Sequence, residues 1–189
     1  ELGSPKVEVQ TQNLRDPREV ERLVGEVLST GAIDILVNNA GIQHTASTSE
    51  MPVEKWDDII AINLSSAFHT MRLALPKMAE RGYGRVINIA SVHGLVASVA
   101  KAPYVAAKHG LVGMTKVVAL EYASVGSRDT GGVTVNAICP GWVETALIES
   151  QIQTRAEKFG GARGQGLADL LSEKQPSKGL SAPSDIGEI

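Results

Sequence analysis

Hydrophobic and polar positions follow a helical period in the first clearly patterned part of the chain. Between residues 16 and 31 the apolar side chains recur at helical spacing. They are Val20, Leu23, Val24, Val27 and Leu28. Asp16 stands before them as an N-cap, Glu19 is placed to complete a capping box, and Gly31 follows the last turn. The pattern predicts an amphipathic helix whose apolar stripe lies on a flat surface.

Three later segments are short, rich in valine and isoleucine, and end in Asn, Ser, Gly or Pro. They are IDILVNNAG at residues 33–41, RVINIAS at 85–91 and VTVNAICPG at 133–141. Continuous apolar runs of this length are typical of strands that are covered on both faces. Longer periodic segments at residues 53–82 and 104–126 predict helices between them. The alternation of strand and helix predicts an α/β fold with a doubly wound parallel sheet.

In doubly wound sheets, ligands bind beyond the carboxyl ends of the strands. This sequence concentrates small and polar residues at those ends, namely residues 38–41, Ser91 and residues 140–142. We therefore expect a single ligand crevice at this edge of the sheet. The polar and glycine-rich segments 127–132 and 158–166 are expected to be a surface loop and a mobile loop, respectively.

Composition narrows the class of protein. With 189 residues, 43% apolar and 21% charged, the chain is expected to form one globular domain, residues 1–189. A net charge of −3 argues against nucleic acid as a partner, and no apolar run approaches the about 20 residues that span a bilayer. Cys139 is the sole cysteine, which leaves no internal disulfide framework. We expect a cytoplasmic protein whose partners are small molecules or further subunits. His44, His69 and His109 are interpreted as structural and no metal is expected, because no second metal ligand stands at a suitable spacing.

Ser91, Tyr104 and Lys108 are the candidate reactive residues. If the segment after residue 103 is helical, Tyr104 and Lys108 lie one turn apart on the same face. An ammonium beside a phenol lowers the phenol pKa from about 10 toward the range in which it exchanges protons near neutral pH. Ser91 at a strand end could donate a hydrogen bond to a substrate oxygen. The alternative is a tyrosine and a lysine that share a helix face by chance.

The combination of motifs resembles the short-chain dehydrogenase/reductase family, which has a Rossmann-like fold. The matching features are NNAG at residues 38–41, Asn63, Ser91 thirteen positions before Tyr104, and PGW after a later strand. The resemblance implies that Tyr104 is the general acid and base and that Lys108 holds the nicotinamide ribose and tunes the tyrosine. It also implies that Ser91 polarises the substrate carbonyl and that Asn63 orders a water molecule in a proton relay.

The same resemblance implies a set of cofactor contacts. Asn39, Ala40 and Gly41 are expected on the adenosine side, and the nicotinamide is expected to be framed by residues after the third strand. These residues are Pro140, Gly141, Val143 and Thr145. Structural alternatives remain for some of them: Asn39 and Gly41 could shape a tight turn, and Thr145 could cap the following helix. The implied cofactor is NAD.

Two features of the family are not found in the sequence. No segment has the form TGxxxGxG, the glycine-rich turn that binds a pyrophosphate at a helix N-terminus. Residues 1–15 resemble the family's third strand, with Asn13 and Leu14 in place of its usual Asp-Val pair, and the chain ends before the family's last strand. We therefore expect a partial domain, an internal part of a longer enzyme, that by itself binds NAD poorly and shows little turnover. The residue that distinguishes NAD from NADP is expected on a strand outside these residues.

Residues around the crevice are similar to those of the branch of the family that acts on D-3-hydroxybutyrate. The similar segments are NNAGIQH, SVHGLV, the lysine three positions before Tyr104, CPGWV and EKQPS. Donors for a small carboxylate are expected at Gln43, His93, Lys101 and Gln151, with Trp142 as an apolar wall. The implied reaction interconverts (R)-3-hydroxybutyrate and acetoacetate. Each residue also has a structural alternative, as a solvated lysine or glutamine, a loop histidine or a core tryptophan.

Subunit association and two other functions remain open at this stage. The helix from residue 104 carries small residues, Ala106, Ala107, Gly110 and Gly113. By resemblance this helix packs across a subunit interface of a homotetramer, but packing on its own sheet explains the small residues equally well. One other function is a sister reductase for a neutral or thioester-linked carbonyl. The second is a non-catalytic, truncated paralogue that associates with full-length subunits.

Overall fold

The computed structural model describes residues 7–188, with only the backbone of Glu173 and Lys174. Three parallel strands form one sheet in the order β1-β2-β3, with β2 in the centre. The strands are β1 Ile35–Asn38, β2 Tyr83–Ile89 and β3 Gly132–Ile138. The α-helices are α1 Pro17–Thr30, α2 Val53–Ile60, α3 Ser66–Glu80, α4 Ala102–Glu121, α5 Ala146–Ala156, α6 Arg163–Lys174 and α7 Pro183–Gly187. The predicted Rossmann-like α/β fold with its parallel sheet is confirmed.

The two faces of the sheet differ in how they are covered. On one face Leu36, Val86 and Val135 are paired in register and pack against α3 and α4, which form the main core. On the other face Ile35 and Val37 are 59% and 52% exposed. Helices therefore cover one face well, and among residues 7–188 the opposite face is largely open.

Helix α1 has the predicted bounds but not the predicted capping box. The Asp16 carboxylate accepts from the backbone N–H of Arg18 at 2.9 Å. The Asp16 backbone N–H donates to the Asn13 carbonyl at 3.1 Å, and the Glu19 carboxylate accepts from the Asn13 N–H at 2.8 Å instead. Glu19 thus ties the preceding turn to the helix, because the N–H that a capping box uses is already bonded to a carbonyl.

The segment predicted as one helix over residues 53–82 is interrupted. Between α2 and α3, residues Ala61–Ser65 form a π-helical turn, and Asn63 is buried within it. π-Turns widen the backbone spiral and are frequent at functional sites. This turn points the Asn63 side chain at the chain that follows β1.

Two expectations about other segments are wrong. Residues 158–166 are not a mobile loop throughout: Glu157–Phe159 form a 3₁₀ turn and α6 begins at Arg163. A methyl group at Gly166 would lie 2.6 Å from the Ile152 carbonyl oxygen, so glycine there allows α6 to approach α5 closely. Residues 7–13 form no strand, because no described strand lies beside them to share hydrogen bonds; residues 1–6 lie outside the described residues.

None of the helices among residues 7–188 combines the length and the apolar character that crossing a membrane requires.

Candidate active site

A cavity of about 510 Å³ lies beyond the carboxyl ends of the three strands, as the sequence predicted. Most of the residues predicted for the site line it. They are Asn39, Gly41, Gln43, Ser91, His93, Lys101, Tyr104, Lys108, Pro140, Gly141, Trp142, Val143 and Thr145. Three predicted residues, Ala40, Asn63 and Gln151, do not line it. Strand ends far apart in sequence thus meet at one place.

Ser91, Tyr104 and Lys108 are buried side by side at the base of this cavity. The Tyr104 hydroxyl and Ser91 share a hydrogen bond. The Lys108 ammonium lies over the Tyr104 ring, 5.7 Å from its centroid, and donates to the Ile89 carbonyl oxygen at 2.7 Å. A phenol, a hydroxyl and an ammonium are therefore held close together at the wall of the cavity.

Close packing of α4 against the end of β2 sets this arrangement. Ser91 caps the 3₁₀ turn Val92–Gly94 by accepting from the His93 N–H at 3.1 Å. At Gly94 a methyl group would lie 2.8 Å from Val112 Cγ2 and 2.9 Å from the Lys108 carbonyl oxygen. Only glycine therefore lets the turn that carries Ser91 touch the helix that carries Tyr104 and Lys108.

A buried polar network, which the sequence analysis missed, fixes the same helix to the sheet. Asn88 of β2 is fully buried; its Nδ2 donates to Thr115 Oγ1 of α4 at 2.9 Å. Its Oδ1 accepts from Asn38 Nδ2 of β1 at 2.8 Å, and Asn38 Oδ1 accepts from Thr70 Oγ1 of α3 at 2.7 Å. The signal available in the sequence was an asparagine near the end of each of two apolar runs, since a buried amide requires partners.

The pKa of Tyr104 is shifted in the direction opposite to that expected from the sequence. Burial raises the pKa of Tyr104, and the hydrogen bond with Ser91 offsets this only in part. Lys108 does not contribute to the shift; its ammonium is bonded to the Ile89 carbonyl oxygen and lies 5.7 Å from the centroid of the tyrosine ring. Burial also lowers the pKa of Lys108 to about 8, with Cys139 acting in the opposite direction. In this structure the tyrosine is a protonated donor at neutral pH.

Asn63 lies behind the wall of the cavity. Its Oδ1 accepts from the Ile42 N–H and its Nδ2 donates to the Ile42 carbonyl oxygen, both at 2.9 Å. Both polar atoms of the side chain are thus committed to the backbone just before Gln43. Asn63 fixes the segment that follows the NNAG motif.

The residues expected to bind a carboxylate are brought together only in part. Lys101 is 6% exposed, and its ammonium lies 4.8 Å from the centroid of the Trp142 ring. His93 is 8% exposed, with Nε2 2.8 Å from Ser98 Oγ and its ring edge-on to Tyr104. Gln151 lies on α5 with a buried Nε2 for which the described residues provide no hydrogen-bond partner.

The residues expected to frame a nicotinamide lie between β3 and α5 and line the cavity. Thr145 occupies the N-cap position of α5, but its side chain makes no capping hydrogen bond, so capping does not account for it. At Gly41 a methyl group would lie 3.9 Å from Lys108 Nζ, so the backbone there directly borders the reactive lysine. Together these residues line a mostly apolar part of the cavity.

Comparisons with known proteins give a consistent result. A model of the short chain dehydrogenase family matches residues 1–156. The chain is 57% identical over 159 residues to a "D-beta-hydroxybutyrate dehydrogenase" of Cupriavidus necator, covering 84% of this chain and 59% of that protein. It is 48% identical over 189 residues to the protein of the same name in Rhizobium meliloti, covering all of this chain and 71% of that protein.

A solved structure has the same fold. The actinorhodin polyketide ketoreductase, determined with NADPH, aligns with a TM-score of 0.84 at 37% identity. The alignment covers 95% of this chain and 67% of that one.

Proposed function

The chain belongs to the short chain dehydrogenase family, and on that premise we propose that it is an NAD-dependent dehydrogenase that interconverts (R)-3-hydroxybutyrate and acetoacetate. The observation that carries the substrate is Lys101, a buried cation that lines the same cavity as Tyr104. Its ammonium faces the Trp142 ring in the cavity wall. A small carboxylate in the cavity would be attracted by this positive charge and could form a charge-assisted hydrogen bond with the ammonium. The names of the two hydroxybutyrate dehydrogenase relatives support the same substrate.

Proton transfer is assigned to Tyr104. In the direction of reduction, its hydroxyl donates a proton to the oxygen of the carbonyl, which becomes the 3-hydroxyl, while Ser91 donates a hydrogen bond to the same oxygen. In the direction of oxidation, the ionised phenol takes the proton back from the hydroxyl. Because burial raises the pKa of Tyr104, the protonated form that reduction requires predominates at neutral pH, and the ionised form that oxidation requires becomes more abundant in a more alkaline medium.

The cofactor supplies the acceptor or donor of the hydride when it is bound. A flat ring next to Tyr104 would fit the part of the cavity beside Gly41. The cavity wall there includes Pro140, Gly141, Val143 and Thr145. Asn39, Ala40 and Gly41 are proposed to line the adenosine side. Lys108 is proposed to hold the ribose hydroxyls while its ammonium stays bonded to the Ile89 carbonyl. The resemblance to the hydroxybutyrate branch supports NAD rather than NADP as the proposed cofactor.

The proposed roles of Gln43, His93 and Gln151 are to hold the carboxylate with Lys101. Gln43 and His93 line the cavity, whereas Gln151 does not. The buried Nε2 of Gln151 nevertheless lies on the helix that carries Ile148, a lining residue. The role proposed for Gln151 therefore requires α5 to move toward the substrate. Asn63 is proposed to act on the proton relay through the backbone that it holds.

A homotetramer is also proposed, with the outer face of α4 as a subunit interface. Of the four small residues, Ala107 is buried in the chain's own core, and a methyl group at Gly110 would lie 3.0 Å from Leu64. Gly113 instead has open space around it, and Val117 and Leu120 on the same face are 55% and 78% exposed. An apolar helix face of this kind fits a second subunit. Light scattering of the purified protein measures the subunit number directly.

The experiment that tests the function is steady-state kinetics on the protein expressed from its full coding sequence. With NAD, we expect kcat/KM for (R)-3-hydroxybutyrate to exceed that for 2-butanol by at least about tenfold to hundredfold, the range of one charge-assisted contact. NADP should be the poorer cofactor. Equal turnover of charged and neutral alcohols would favour the sister reductase. Failure to bind NAD at all would favour the non-catalytic paralogue.

A further inference from the structure

His93 is anchored at two points, by its backbone and by its ring. Its backbone N–H donates to Ser91 Oγ at 3.1 Å. Its ring Nε2 lies 2.8 Å from Ser98 Oγ, whereas its Nδ1 lies 3.5 Å from Ser91 Oγ. The short contact with Ser98 has normal hydrogen-bond length, and the contact with Ser91 is at the limit of one. Of these two contacts, the one with Ser98 is therefore the stronger.

The loop from residue 95 to residue 100 is built so that Ser98 faces inward. Leu95, Val96 and Val99 are 60%, 52% and 85% exposed, and within residues 95–100 only Ser98 is less than largely exposed. The loop ends at Ala100, whose φ of 61° is in the left-handed region that alanine seldom adopts. The Ala100 carbonyl accepts from the Ala46 N–H at 3.1 Å, which holds this strained turn in place.

We propose that Ser98 is a positioning residue that orients the imidazole of His93 toward the substrate carboxylate. The inference rests on the proposed function, since it concerns how the same site recognises its substrate. A serine hydroxyl both donates and accepts, so Ser98 keeps its bond with Nε2 in either tautomer of the ring. With Nε2 bonded to Ser98, Nδ1 is the nitrogen directed toward Ser91, and both His93 and Ser91 line the cavity. Ser98 itself does not line the cavity and acts through His93.

Without the Ser98 hydroxyl, the imidazole loses its hydrogen bond at Nε2 and should rotate about the Cβ–Cγ bond of His93. The backbone bond to Ser91 remains, so Ser91 and Tyr104 keep their positions. Recognition of a carboxylate should therefore weaken while proton transfer continues. This separates a positioning role from a structural one, since loss of structure would lower the turnover of every substrate.

The experiment is a double-mutant cycle in the protein expressed from its full coding sequence. Ser98→Ala should lower kcat/KM for (R)-3-hydroxybutyrate by about threefold to tenfold, mainly through KM, the range of one neutral hydrogen bond. Turnover of 2-butanol should change by less than about twofold. Ser98→Thr, which keeps the hydroxyl, should restore most of the affinity. In a His93→Ala background, Ser98→Ala should have no further effect.

Ser127→Ala is the matched control, because Ser127 bonds Thr130 in a turn at the amino end of β3, away from the cavity. It should leave kcat/KM unchanged for both substrates. Equal losses for both substrates in Ser98→Ala, or an additive loss in the His93→Ala background, would overturn the proposal.

A second readout needs no substrate and so stands apart from the proposed function. The chain has four histidines, and the ring nitrogen signals of His93 can be assigned by comparison with His93→Ala. Ser98→Ala should shift the nitrogen-15 resonances of the His93 ring and leave those of His44, His69 and His109 in place. Unchanged His93 signals would overturn the role of Ser98 even if hydroxybutyrate proves to be the substrate. Shifted signals in a protein that does not oxidise hydroxybutyrate would instead refute the proposed function alone.

Discussion

Two sides of the cavity differ in how their residues are held. Ser91, Tyr104 and Lys108 are buried and bonded to each other or to the backbone of β2. On the other side of the cavity, α5 and α6 pack mainly on each other. The chain enters α5 through residues 142–144, and Ser181 lies in the segment that follows α6. Two backbone hydrogen bonds join that stem: Ser181 N–H to the Trp142 carbonyl at 2.9 Å, and Glu144 N–H to the Ser181 carbonyl at 3.0 Å. We call the first side the reactive base and α5 with α6 the helical pair.

This difference assigns different duties to the two sides. The reactive base is over-determined, because the glycine contact at Gly94, the Asn88 network and the Lys108 bond to Ile89 all fix α4 against β2. Among the described residues, the helical pair packs mainly on itself and is joined to the strands through this stem, so we expect it to shift more easily than the reactive base. Proton transfer needs fixed distances, whereas substrate entry needs movement. Substitutions in the base should thus affect kcat, and substitutions near the helical pair should affect KM.

The largest effect is expected at Tyr104. Tyr104→Phe removes the transferable proton and leaves the packing of the ring against Ile59 and Ala107 intact. Turnover should fall at least about 100-fold, while affinity for NAD and the melting temperature stay nearly unchanged. Stopped-flow kinetics and calorimetry on the protein expressed from its full coding sequence would measure both. Retained turnover would show that Tyr104 does not carry out the proton transfer.

A smaller but more selective effect is expected at Lys101, which lies where the base meets the stem of the helical pair. Lys101→Ala removes a charge-assisted contact and should weaken hydroxybutyrate binding by on the order of 1.5–3 kcal/mol. This is about tenfold to hundredfold in KM. A neutral alcohol should be turned over almost as before, and Lys101→Arg should recover part of the loss. Equal losses for both substrates would mean that Lys101, through its contact with Trp142, supports the site only in general.

Local patterns were enough to predict the strands, most helices and the edge where the site lies. Tyr104 and Lys108 could be found because their spacing on one helix is a local property. The direction of the pKa shift of Tyr104 could not, since it depends on where the Lys108 ammonium ends, at a carbonyl of another element. The π-turn around Asn63 has no distinct hydrophobic period, and so the sequence indicated one continuous helix.

Glycines caused the clearest error for the same physical reason. Residues 158–166 were expected to be a mobile loop because glycine clusters are typical of loops. In the structure Gly166 lies inside α6, where it provides room for the backbone of α5. Glycine occurs both where two helices approach closely and where a loop is flexible, so a single sequence does not distinguish the two. The Asn88 network was missed because an asparagine's partners belong to other elements.

The pH dependence of stability tests the burial of the reactive base. Burial lowers the pKa of Lys108 to about 8, so between pH 8 and about 10.4 the unfolded chain binds more protons at this residue than the folded chain does. Stability attributable to Lys108 should therefore rise with pH through that window and be flat below it. Relative to Lys108→Met, which does not titrate, the native chain should gain on the order of 1–3 kcal/mol between pH 7.5 and pH 10. Urea unfolding at the two pH values measures the gain, and no relative change would mean that Lys108 is hydrated.

The smallest effect is expected within the helical pair, at the exposed ion pair between Glu149 of α5 and Arg163 of α6. The Glu149 carboxylate accepts from Arg163 at 3.0 and 2.8 Å, and this contact lowers the pKa of Glu149 to about 2. The stabilisation is thus present above the ordinary glutamate range and is lost as pH falls toward 2. Because water and salt screen an exposed pair, Glu149→Gln should raise KM for hydroxybutyrate by less than about twofold and leave kcat unchanged.

The partly buried pair of Arg155 and Asp169 joins the same two helices at 2.9 Å and provides the matched comparison. Asp169→Asn should raise KM more than Glu149→Gln does, because less solvent screens its charge. High salt should reduce the effect of Glu149→Gln further and alter that of Asp169→Asn less. A fall in kcat for either variant would contradict the division of duties, since it would mean that the geometry of the helical pair reaches the reactive base. Effects on KM alone, in the order given, would support a helical pair that governs substrate binding while Tyr104 and its neighbours stay fixed.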